Sequence, residues 1–556
     1  MASPEVGERV IETLGDVGIS YVFSTFGTDH PPLIKGLAKH DDPTLILAPH
    51  EMLAASAAHG YAQVTNEPQA VLVHVDVGTA NLGASVHNAA RSRVPMFILA
   101  GRTPVTTRNE QPGSRSIFVH YYQDVYDQHG LLREYAKWTY ELETGANVGT
   151  VLARGHDLAT AAPAGPVYLT LPREVLRQEC ETTGRSVPRR PDRVTATATT
   201  GAREELLALL RDASHPLVVT SYLGRDESAV GVLETFAETC GVGVVEAAPA
   251  FDLSFDREHP LHFGFVTEEH LDEADLLLVA NCDVPWVPSR KTPAEGSTVV
   301  HIDPDPEKPQ YPLWDFEVDH RLRAEPKAVF ADLAAAFDET GVASERRDRL
   351  AEVGRRRREE VRSGVADPAD ADRITPGSLS AVLGEVLEDD DIVVDETVTN
   401  TVDVLRHLTR TEPGSYYSYC SSGLGWAGGA SLGIKLARPA SRVVSLVGDG
   451  SFVLGNPVAA LQTAAAYDLP SLTVVYNNRR WRAVEDAIRD QYGEPGFDAR
   501  SFTEYAPESN LARLAEVVGG YGERVDDPTE LAGAIESGLA AVDDGDPAIL
   551  DVRITE

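Results

Sequence analysis

The stretch that decides the fold is VVSLVGDGSFVLGNPVAALQTAAAYDLPSLTVVYNN, residues 443–478. It predicts four successive elements: a strand at Val443–Val447, a tight turn at 448–451, a helix around Ala459–Tyr467 and a second strand at Leu472–Tyr476. Strand, helix and strand in this order are typical of a parallel βαβ unit. In open parallel sheets, ligands bind at the carboxyl ends of the strands, which is where Asp449 and Asn478 stand.

Oxygen-bearing side chains at two neighbouring strand ends can hold one small hard cation. Magnesium prefers oxygen ligands and commonly completes its shell with substrate phosphates. The glycines of the turn allow the backbone to approach a phosphate, and the start of the next helix offers free N–H groups to it. Gly-Asp-Gly alone is most often only a turn, but its pairing with Asn477-Asn478 favours a metal–diphosphate site.

GDGS at 448–451, then a helix, then a strand ending in Asn-Asn, resembles the signature of thiamine-diphosphate (ThDP) enzymes. The wider chain resembles the family that contains acetolactate synthase, benzoylformate decarboxylase and pyruvate decarboxylase. This resemblance implies that Mg²⁺ is bound by Asp449, Asn478 and the main-chain carbonyl of Arg480. It also implies that the diphosphate lies against Gly448, Gly450 and Ser451. The spacing from Asp449 to Asn478 is longer than the family pattern, and we place the extra residues in Val453–Pro457.

The resemblance implies an α/β protein of three doubly wound parallel-sheet domains. These are a pyrimidine-binding domain at 1–180, a central Rossmann-like domain at 200–345 and a diphosphate-binding domain at 370–556. A length of 556 residues, 42% of them hydrophobic, agrees with several sizeable cores. The Pro/Thr/Arg-rich stretch at about 181–200 is predicted as a linker, and the charged stretch at 340–375 as a solvated linker helix. Strand, glycine turn, helix and strand occur in both outer domains, which suggests that they share a fold.

Glu51 follows a strand predicted at Leu45–Leu47 and opens an alanine-rich helix predicted at Met52–Tyr61. An acidic residue in a first helical turn is explained most simply by the helix dipole. The family, however, carries a glutamate at this place, before a helix with the Gly-Tyr-Ala segment found here at 60–62. The resemblance therefore implies that Glu51 binds the pyrimidine nitrogen N1′ of ThDP and favours the imino tautomer that activates the cofactor.

The segment AVLVHVDV at 70–77 is predicted as a strand that ends in the turn Gly78-Thr79-Ala80-Asn81, before a helix at Leu82–Ala90. A lone histidine in such a strand is most often a core residue. The run LVHVDVGTANLG, however, resembles the benzoylformate decarboxylase segment with a histidine before a Gly-Thr-x-Asn turn. This implies that His74 is an active-site histidine that transfers protons, and that Asn81 is a cofactor-site residue.

The first loop, Ser24–His30, is the predicted substrate loop. Thr28 stands where the family places a substrate-binding serine; an alignment shifted by one residue would select Asp29 instead, and His30 is a further candidate. Gln123, in Tyr-Gln-Asp, resembles the cofactor-facing glutamine of acetolactate synthases. The sequence thus carries features of both subfamilies.

In the last domain, Thr397 follows a predicted strand at Ile392–Val394, where relatives place diphosphate-contacting groups. Leu424, within a glycine-rich turn, stands where the benzoylformate branch has a leucine that wedges ThDP into a V shape. The central domain carries no GxGxxG or Walker pattern, so FAD is not expected. Its loop at Asp283–Trp286 lacks the second histidine of benzoylformate decarboxylases, which argues against phenylglyoxylate as substrate.

The chain has a formal net charge of −37 and a sequence pI near 4.8, which argues against nucleic-acid binding. No leader-like segment or bilayer-spanning apolar run is found, so we expect a cytoplasmic protein that does not enter membranes. Two interpretations of the acidity stay open: a halophile's solubility strategy, which we favour, or an ordinary acidic enzyme. The four cysteines form no CxxC motif and are expected to be buried free thiols.

The resemblance implies ThDP- and Mg²⁺-dependent decarboxylation of a small-molecule 2-oxo acid, with or without carboligation, as in benzoylformate decarboxylase. One alternative is a carboligase of acetolactate synthase type, which Gln123 favours. Another is a ThDP-binding protein without catalysis, or an oxidoreductase or hydrolase on the same frame; the presence of Glu51, Asp449 and Asn478 argues against an inactive protein. The resemblance further implies a homodimer or homotetramer with active sites between subunits.

Overall fold

The computed structural model describes residues 4–180, 195–337, 341–365, 372–420, 422–493, 496–505 and 508–555. Each of three consecutive regions of the chain builds one sheet, and all strand pairs within the sheets are parallel. The α/β class and the three parallel-sheet domains predicted from the sequence are confirmed. Residues 181–194, most of the predicted linker, lie outside the described part of the chain.

The N-terminal domain has a six-stranded sheet in the order β2-β1-β3-β4-β6-β5. Its strands are β1 Tyr21–Thr25, β2 Thr44–Leu47, β3 Gln69–Val73, β4 Met96–Arg102, β5 Trp138–Glu141 and β6 Pro166–Pro172. Its helices are α1 Val6–Asp16, α2 Pro31–Leu37, α3 Glu51–Thr65, α4 Val75–Asn81, α5 Gly83–Arg91, α6 Val119–Tyr122, α7 Val148–Thr160 and α8 Arg173–Leu176. The strand β3 is buried along its whole length, as expected for a sheet covered by helices on both faces.

The central domain has a five-stranded sheet in the order β11-β10-β9-β7-β8. Its strands are β7 Pro216–Thr220, β8 Gly243–Glu246, β9 Leu276–Ala280, β10 Thr298–Asp303 and β11 His320–Arg323. Its helices are α9 Thr200–Asp212, α10 Glu227–Cys240, α11 Pro326–Ala336 and α12 Gly341–Ser363. Ala343, Leu350 and Ala351 of α12 belong to the core of this domain, so its packing continues past residue 345.

The C-terminal domain has a six-stranded sheet in the order β13-β12-β14-β15-β17-β16. Its strands are β12 Ile392–Glu396, β13 Tyr416–Tyr417, β14 Val443–Gly448, β15 Leu472–Asn477, β16 Tyr521–Val525 and β17 Ala548–Arg553. Its helices are α13 Pro376–Val386, α14 Thr401–His407, α15 Ala427–Ala437, α16 Asp449–Leu454, α17 Pro457–Ala466, α18 Arg482–Tyr492, α19 Arg500–Thr503 and α20 Leu531–Asp543. Counted along the chain, this order is the same as in the N-terminal domain, which confirms that the outer domains share a fold.

Two local predictions are wrong, and both concern where a strand gives way to a helix. The strand predicted at 70–77 ends at Val73, and Val75–Asn81 is the helix α4 rather than a strand end and turn. The Thr79 hydroxyl donates to the Val75 carbonyl at 2.6 Å. This hydrogen bond spans one helical turn, and the β-branched composition of the segment does not predict it. The predicted turn at 448–451 is likewise the end of β14 and the first turn of α16.

The outer domains of the chain meet through the helices α3 and α15. A Cβ atom added at Gly60 would clash with the backbone of Ala430, and one added at Gly433 would clash with the backbone of Ala57. A Cβ at Gly429 would lie 2.5 Å from the side chain of Ser56. The two helix backbones are therefore in direct contact, and the residues that allow it are glycines.

The described part of the chain holds no helix that is both long and apolar enough to cross a membrane. All four cysteines are free; three are buried, and Cys420 is partly exposed.

Candidate active site

The helix α4 brings together two of the residues predicted to bind the cofactor. Glu51 is the first residue of α3, and Asn81 is the last residue of α4. Asn81 Nδ2 donates to Glu51 Oε2 at 2.9 Å. A Cβ at Gly78 would lie 3.3 Å from Glu51 Oε1, so the glycine leaves the second carboxylate oxygen room on that side. One oxygen of Glu51 is thus fixed by Asn81.

His74 lies between two acceptors at the carboxyl end of β3. Its Nδ1 is hydrogen-bonded to Asp29 Oδ1, and its Nε2 lies 3.2 Å from Gln123 Oε1. Asp29 Oδ2 also accepts from the backbone N–H of Val75 at 3.4 Å. Because an imidazole can donate from both nitrogens only when it is protonated, this arrangement suits a positively charged His74.

The charges of this group reinforce one another. Burial acts to raise the pKa of Asp29, but His30 and His74 outweigh it and hold that pKa well below its usual range. Burial acts to lower the pKa of His74, but the hydrogen bond and charge of Asp29 raise it above its ordinary value. His30 Nδ1 accepts from the Gly27 N–H at 3.0 Å, and His30 Nε2 lies 3.0 Å from the Val73 carbonyl and 3.2 Å from Asp29 Oδ2.

Among the four residues proposed for the substrate loop and its neighbourhood, Asp29, His30 and Gln123 gather around His74, and all three are buried. Thr28 is exposed.

Sequence reasoning missed His120, a buried histidine whose ring Nδ1 accepts from the Ser116 N–H at 3.1 Å. Burial and nearby Arg173 and Arg115 lower the pKa of His120; no local motif marks it.

Two glycines make room for the Asp29–His74 pair. A Cβ at Gly27 would clash with the His74 ring, and a Cβ at Gly101 would clash with the Asp29 carboxylate. Gly101 belongs to β4, two strands away from the loop that carries Asp29. The close approach of these elements therefore depends on the absence of side chains at both positions.

We expect Gly101→Ala to lower the free energy of unfolding by about 1–3 kcal/mol, because the added methyl group must displace the buried Asp29 side chain. Gly149→Ala in α7 is the matched control, since in the described structure a Cβ there would meet open space. Urea titration followed by circular dichroism measures both. Equal stability of the two variants would contradict the packing described for Asp29.

In the C-terminal domain, the predicted metal ligands lie at the ends of adjacent strands. Gly448 pairs with Tyr476 in the register of β14 and β15. Asp449 Oδ1 accepts from the Gly450 N–H at 2.8 Å, and Asp449 Oδ2 accepts from the Arg479 N–H at 2.6 Å. The βαβ unit thus brings the Asp449 carboxylate against the chain that follows Asn478.

The two asparagines of this unit differ in their surroundings. Asn477 is buried, and its Nδ2 donates to Asp551 Oδ1 at 2.6 Å. Asn478 is partly exposed, and its Oδ1 accepts from the Arg480 N–H at 3.1 Å. Asn477 thus fixes the strand end from inside the sheet, whereas Asn478 stands at the surface of the site.

The donor set of this region suits a cation. Burial raises the pKa of Asp449 to about 6 and outweighs two backbone N–H bonds and the charge of Arg553, because a buried carboxylate is costly to ionise. A divalent ion would remove that cost. Asp449, the side-chain oxygen of Asn478 and the carbonyl of Arg480 offer only oxygen atoms, the ligands that Mg²⁺ prefers; the Arg480 carbonyl also accepts from the Arg482 N–H at 3.0 Å.

Around Asp449, several groups restrict the space. The Trp481 ring would lie 2.5 Å from a Cβ at Gly450, and it stacks on Tyr505 with ring centroids 4.7 Å apart. Tyr505 also makes a side-chain hydrogen bond to Asp449. Ser451 is buried in the first turn of α16. The Trp481 ring therefore lies directly against the GDGS segment.

The loop that carries Leu424 is anchored by a buried acid that sequence reasoning did not single out as a site residue. Glu396 accepts from the N–H groups of Gly425 and Ala427, both at 2.6 Å. Burial raises the pKa of Glu396 to about 7. Leu424 itself is partly exposed, as a side chain that packs on a ligand must be. The nearby Thr397 is buried, and its hydroxyl donates to Asp395 at 2.7 Å.

In the central domain, the strand ends are filled by the protein's own charged groups. Lys308 is fully buried and its Nζ lies 2.7 Å from both Asp283 Oδ1 and Asp303 Oδ2. Arg93 of the N-terminal domain reaches the same acids, with Nη2 2.9 Å from Asp283 Oδ1, and the Tyr222 hydroxyl donates to both. These charged groups occupy the carboxyl ends of the strands, the place where an open α/β sheet would bind a nucleotide.

Comparison with known proteins agrees with this geometry. Three family models match in order: the N-terminal, central and C-terminal domains of thiamine pyrophosphate enzymes, at residues 4–131, 203–330 and 396–552. Benzoylformate decarboxylase of Pseudomonas aeruginosa is 26% identical, with 95% of this chain and 96% of that protein covered. The acetolactate synthase large subunit of Lactococcus lactis is 25% identical, with 100% and 94% covered.

Among solved structures, a ThDP-dependent 4-hydroxybenzoylformate decarboxylase of Rhodococcus jostii matches with a TM-score of 0.80 and 23% identity, covering 99% of each chain. Benzoylformate decarboxylase of Polynucleobacter necessarius matches with a TM-score of 0.83 and 20% identity, covering 100% of this chain and 99% of that one. These two likenesses concern the fold. The three family models establish that the chain belongs to the thiamine-diphosphate enzymes, and its curated relatives include both benzoylformate decarboxylase and acetolactate synthase.

Proposed function

We propose that this protein is a ThDP- and Mg²⁺-dependent decarboxylase of a small 2-oxo acid. The observation that carries the proposal is the hydrogen-bonded group formed by the partly exposed His74 and the buried Asp29 and Gln123. It supplies a histidine whose pKa is raised above its ordinary value by the hydrogen bond and charge of Asp29, at the end of the sheet where the N-terminal domain carries Glu51. A non-catalytic binding protein would have no need of such a proton donor.

The residues present fit the cofactor. Glu51 keeps one oxygen free of Asn81, and the oxygen-only donor set around Asp449 suits a diphosphate-bound Mg²⁺. When bound, ThDP supplies a nucleophilic carbon and an electron sink for decarboxylation. Glu51 would hold a proton at the pyrimidine nitrogen, and Leu424 would support the bent conformation of the cofactor.

The role of His74 follows from its two contacts. Its Nδ1 is committed to Asp29, so Nε2, which faces Gln123, is the atom that can give a proton to a substrate. Asp29 orients the ring and stabilises its charged form. In its protonated state, His74 also offers a positive charge to the carboxylate of a 2-oxo acid before CO₂ leaves. Gln123 would then exchange its contact with His74 for one with the substrate.

A second candidate is a carboligase of the acetolactate synthase type. It is favoured by Gln123, which lies at the site, and by the acetolactate synthase relative that spans the whole chain. The two reactions share the decarboxylation step. They differ in what reacts afterwards: a proton in the decarboxylase, a second carbonyl compound in the carboligase.

We further propose a homodimer or homotetramer in which Glu51 of one subunit works with Asp449 of another.

The test is a screen of 2-oxo acids for CO₂ release with ThDP and Mg²⁺, in parallel at low and high KCl, since the net charge of −37 suggests a protein adapted to salt. Release of the aldehyde supports the decarboxylase, and an acyloin or acetolactate product supports the carboligase. Absence of ThDP-dependent CO₂ release from every acid, with a folded protein that binds ThDP, would overturn both.

We expect Asp29→Asn to shift the pH dependence of turnover to lower pH. His74 has a raised pKa because of Asp29, so activity that needs its charged form is present below that pKa and lost as the pH rises through it. Without the Asp29 carboxylate, the loss of activity begins at lower pH. Profiles of kcat against pH for the wild type and the variant measure the shift, and NMR titration of His74 assigns it.

An unchanged alkaline limb in Asp29→Asn, with a shifted His74 resonance, would show that His74 does not donate the limiting proton. Asp16→Asn, on the exposed end of α1, is the control for loss of a carboxylate in the same domain.

A further inference from the structure

A groove lined by arginines lies where the central domain, the helix α12 and the helix α14 meet. The empty space between its walls is about 600 Å³, open solvent included. Five arginine side chains line it: Arg257, Arg357, Arg358, Arg362 and Arg406. From the sequence, the charged stretch at 340–375, which contains the arginine run 355–358, is predicted as a solvated linker helix. The structure instead directs two members of that run, Arg357 and Arg358, into this groove.

Arg257 forms the floor of the groove and is incompletely bonded. Only 3% of the residue is exposed, and its Nε lies 3.1 Å from Glu246 Oε2. The ring of Tyr416 lies against the guanidinium, with its centroid 4.3 Å from Cζ. Within the part of the chain that the structure describes, Nη1 and Nη2 of Arg257 are buried without a hydrogen-bond partner. Such unpaired charged donors are costly, and they leave the Arg257 charge beneath the groove only partly compensated by Glu246.

The groove has more positive than negative groups. Glu269 pairs with Arg406 at 2.7 Å and with Arg357 at 3.6 Å, and Glu258 pairs with Arg362. Among the described residues, three carboxylates, including Glu246 beneath Arg257, contact four of the five guanidinium groups, and Arg358 is bonded to main-chain carbonyls. His262 also bonds to Glu246, at 3.1 Å.

An excess of about two positive charges is unusual on a chain with a net charge of −37. A concave surface concentrates the field of such an excess, because its walls exclude water.

The fold holds these arginines in place. A Cβ at Gly354 would clash with the carbonyl of Pro260, so α12 lies directly on the loop that carries Arg257. Arg358 Nη1 donates to the carbonyls of His259 and His262, at 2.7 and 3.2 Å. The neighbouring Arg355 and Arg356 point away from the groove and pair with Glu352 and Glu360 on the helix itself.

We infer that this groove is a binding site for a doubly charged phosphoryl anion, separate from the site of Glu51, His74 and Asp449. Arginine matches phosphate oxygens with two parallel N–H groups, and the excess charge equals that of a phosphate dianion. The groove spans the central domain and the C-terminal helix α14, so the anion joins these two domains. The same chemistry is carried by free phosphate and by a phosphate monoester.

The test uses the full chain saturated with ThDP and Mg²⁺, so that the diphosphate site is occupied. Inorganic phosphate and glycerol 1-phosphate are titrated calorimetrically at constant ionic strength, since salt screens exposed charges. We expect saturable binding of at least one probe and a higher melting temperature in its presence. Tighter binding of the monoester would identify a phosphorylated metabolite as the ligand, and equal binding would identify free phosphate.

Arg362→Gln/Arg406→Gln is expected to weaken this binding at least about tenfold, which corresponds to about 1.4 kcal/mol. Arg355→Gln/Arg356→Gln is the matched control: it removes the same charge, also from glutamate-paired arginines, and is expected to change affinity less than about twofold. Melting temperatures without phosphate show whether each variant folds, and Arg406→Gln alone replaces the double variant if it does not.

Lack of saturable binding to the wild type, or equal weakening in both double variants, would overturn the inference. Neither result depends on whether the protein decarboxylates a 2-oxo acid, because the readouts are binding and melting.

Discussion

Glu51→Gln is expected to lower turnover by about 100- to 10,000-fold, the range that a positioned acid–base group supplies. The amide keeps the length of the side chain, and Asn81 can still donate to its oxygen as it does to Glu51 Oε2. It cannot, however, share a proton with the pyrimidine nitrogen. The rate of proton exchange at the cofactor's C2 should therefore fall with turnover, while ThDP affinity changes little. Exchange measured by NMR and binding measured by calorimetry separate the two effects.

Glu67→Gln is the matched control for this variant, since Glu67 is exposed just beyond the end of the same helix. It should retain both exchange and turnover. C2–H exchange at the wild-type rate in Glu51→Gln would remove Glu51 from its proposed role, even if turnover were lost for another reason.

Asp449→Asn is expected to weaken Mg²⁺-dependent ThDP binding by about 100-fold or more. A carboxylate bonded to a metal and to two N–H groups contributes several charge-assisted interactions, and Asp449 makes the two N–H bonds already. The amide leaves a neutral ligand in place of a charged one. Titration of ThDP at several Mg²⁺ concentrations measures the loss, and high Mg²⁺ should restore part of the affinity.

Asp468→Asn provides the comparison for the metal-site variant. Asp468 is exposed between α17 and β15 and has a positive φ of 54°, a conformation that asparagine also accepts. If Asp449→Asn bound ThDP as tightly as this control at limiting Mg²⁺, Asp449 would not be a metal ligand.

The parts of the molecule that the sequence could predict are those encoded over short distances. The strand Val443–Val447, the asparagine pair and the glutamate before an alanine-rich helix are continuous patterns, and each was located within a few residues. The helix at 75–81 was not predicted, because valine, threonine and glycine have low intrinsic helix propensity. The hydrogen bond from Thr79 to Val75 is visible only in three dimensions. The resulting helix is what brings Asn81 to Glu51.

Longer-range features were beyond sequence reasoning for a different reason. Asp29 and His74 are 45 residues apart, and only the pairing of β1 with β3 makes them neighbours. The sequence places Thr28 at the substrate position and Asp29 there only if the alignment shifts by one; in the structure Thr28 is exposed, whereas Asp29 is buried beside His74. The groove arginines come from three separate segments, and a charge run on one helix gives no indication of what faces it. Contacts of this kind depend on tertiary packing rather than on local periodicity.

The direct contact between the Glu51 helix and α15 has a consequence for engineering. With glycines at 60, 429 and 433 where the two backbones touch, the outer lobes of one polypeptide form a matched pair of surfaces. A chimera that placed larger residues at any of these three positions would bring side chains into that seam and is expected to misfold. Exchange of substrate-loop segments should succeed only when the seam is left intact, or when both helices are transplanted as one unit.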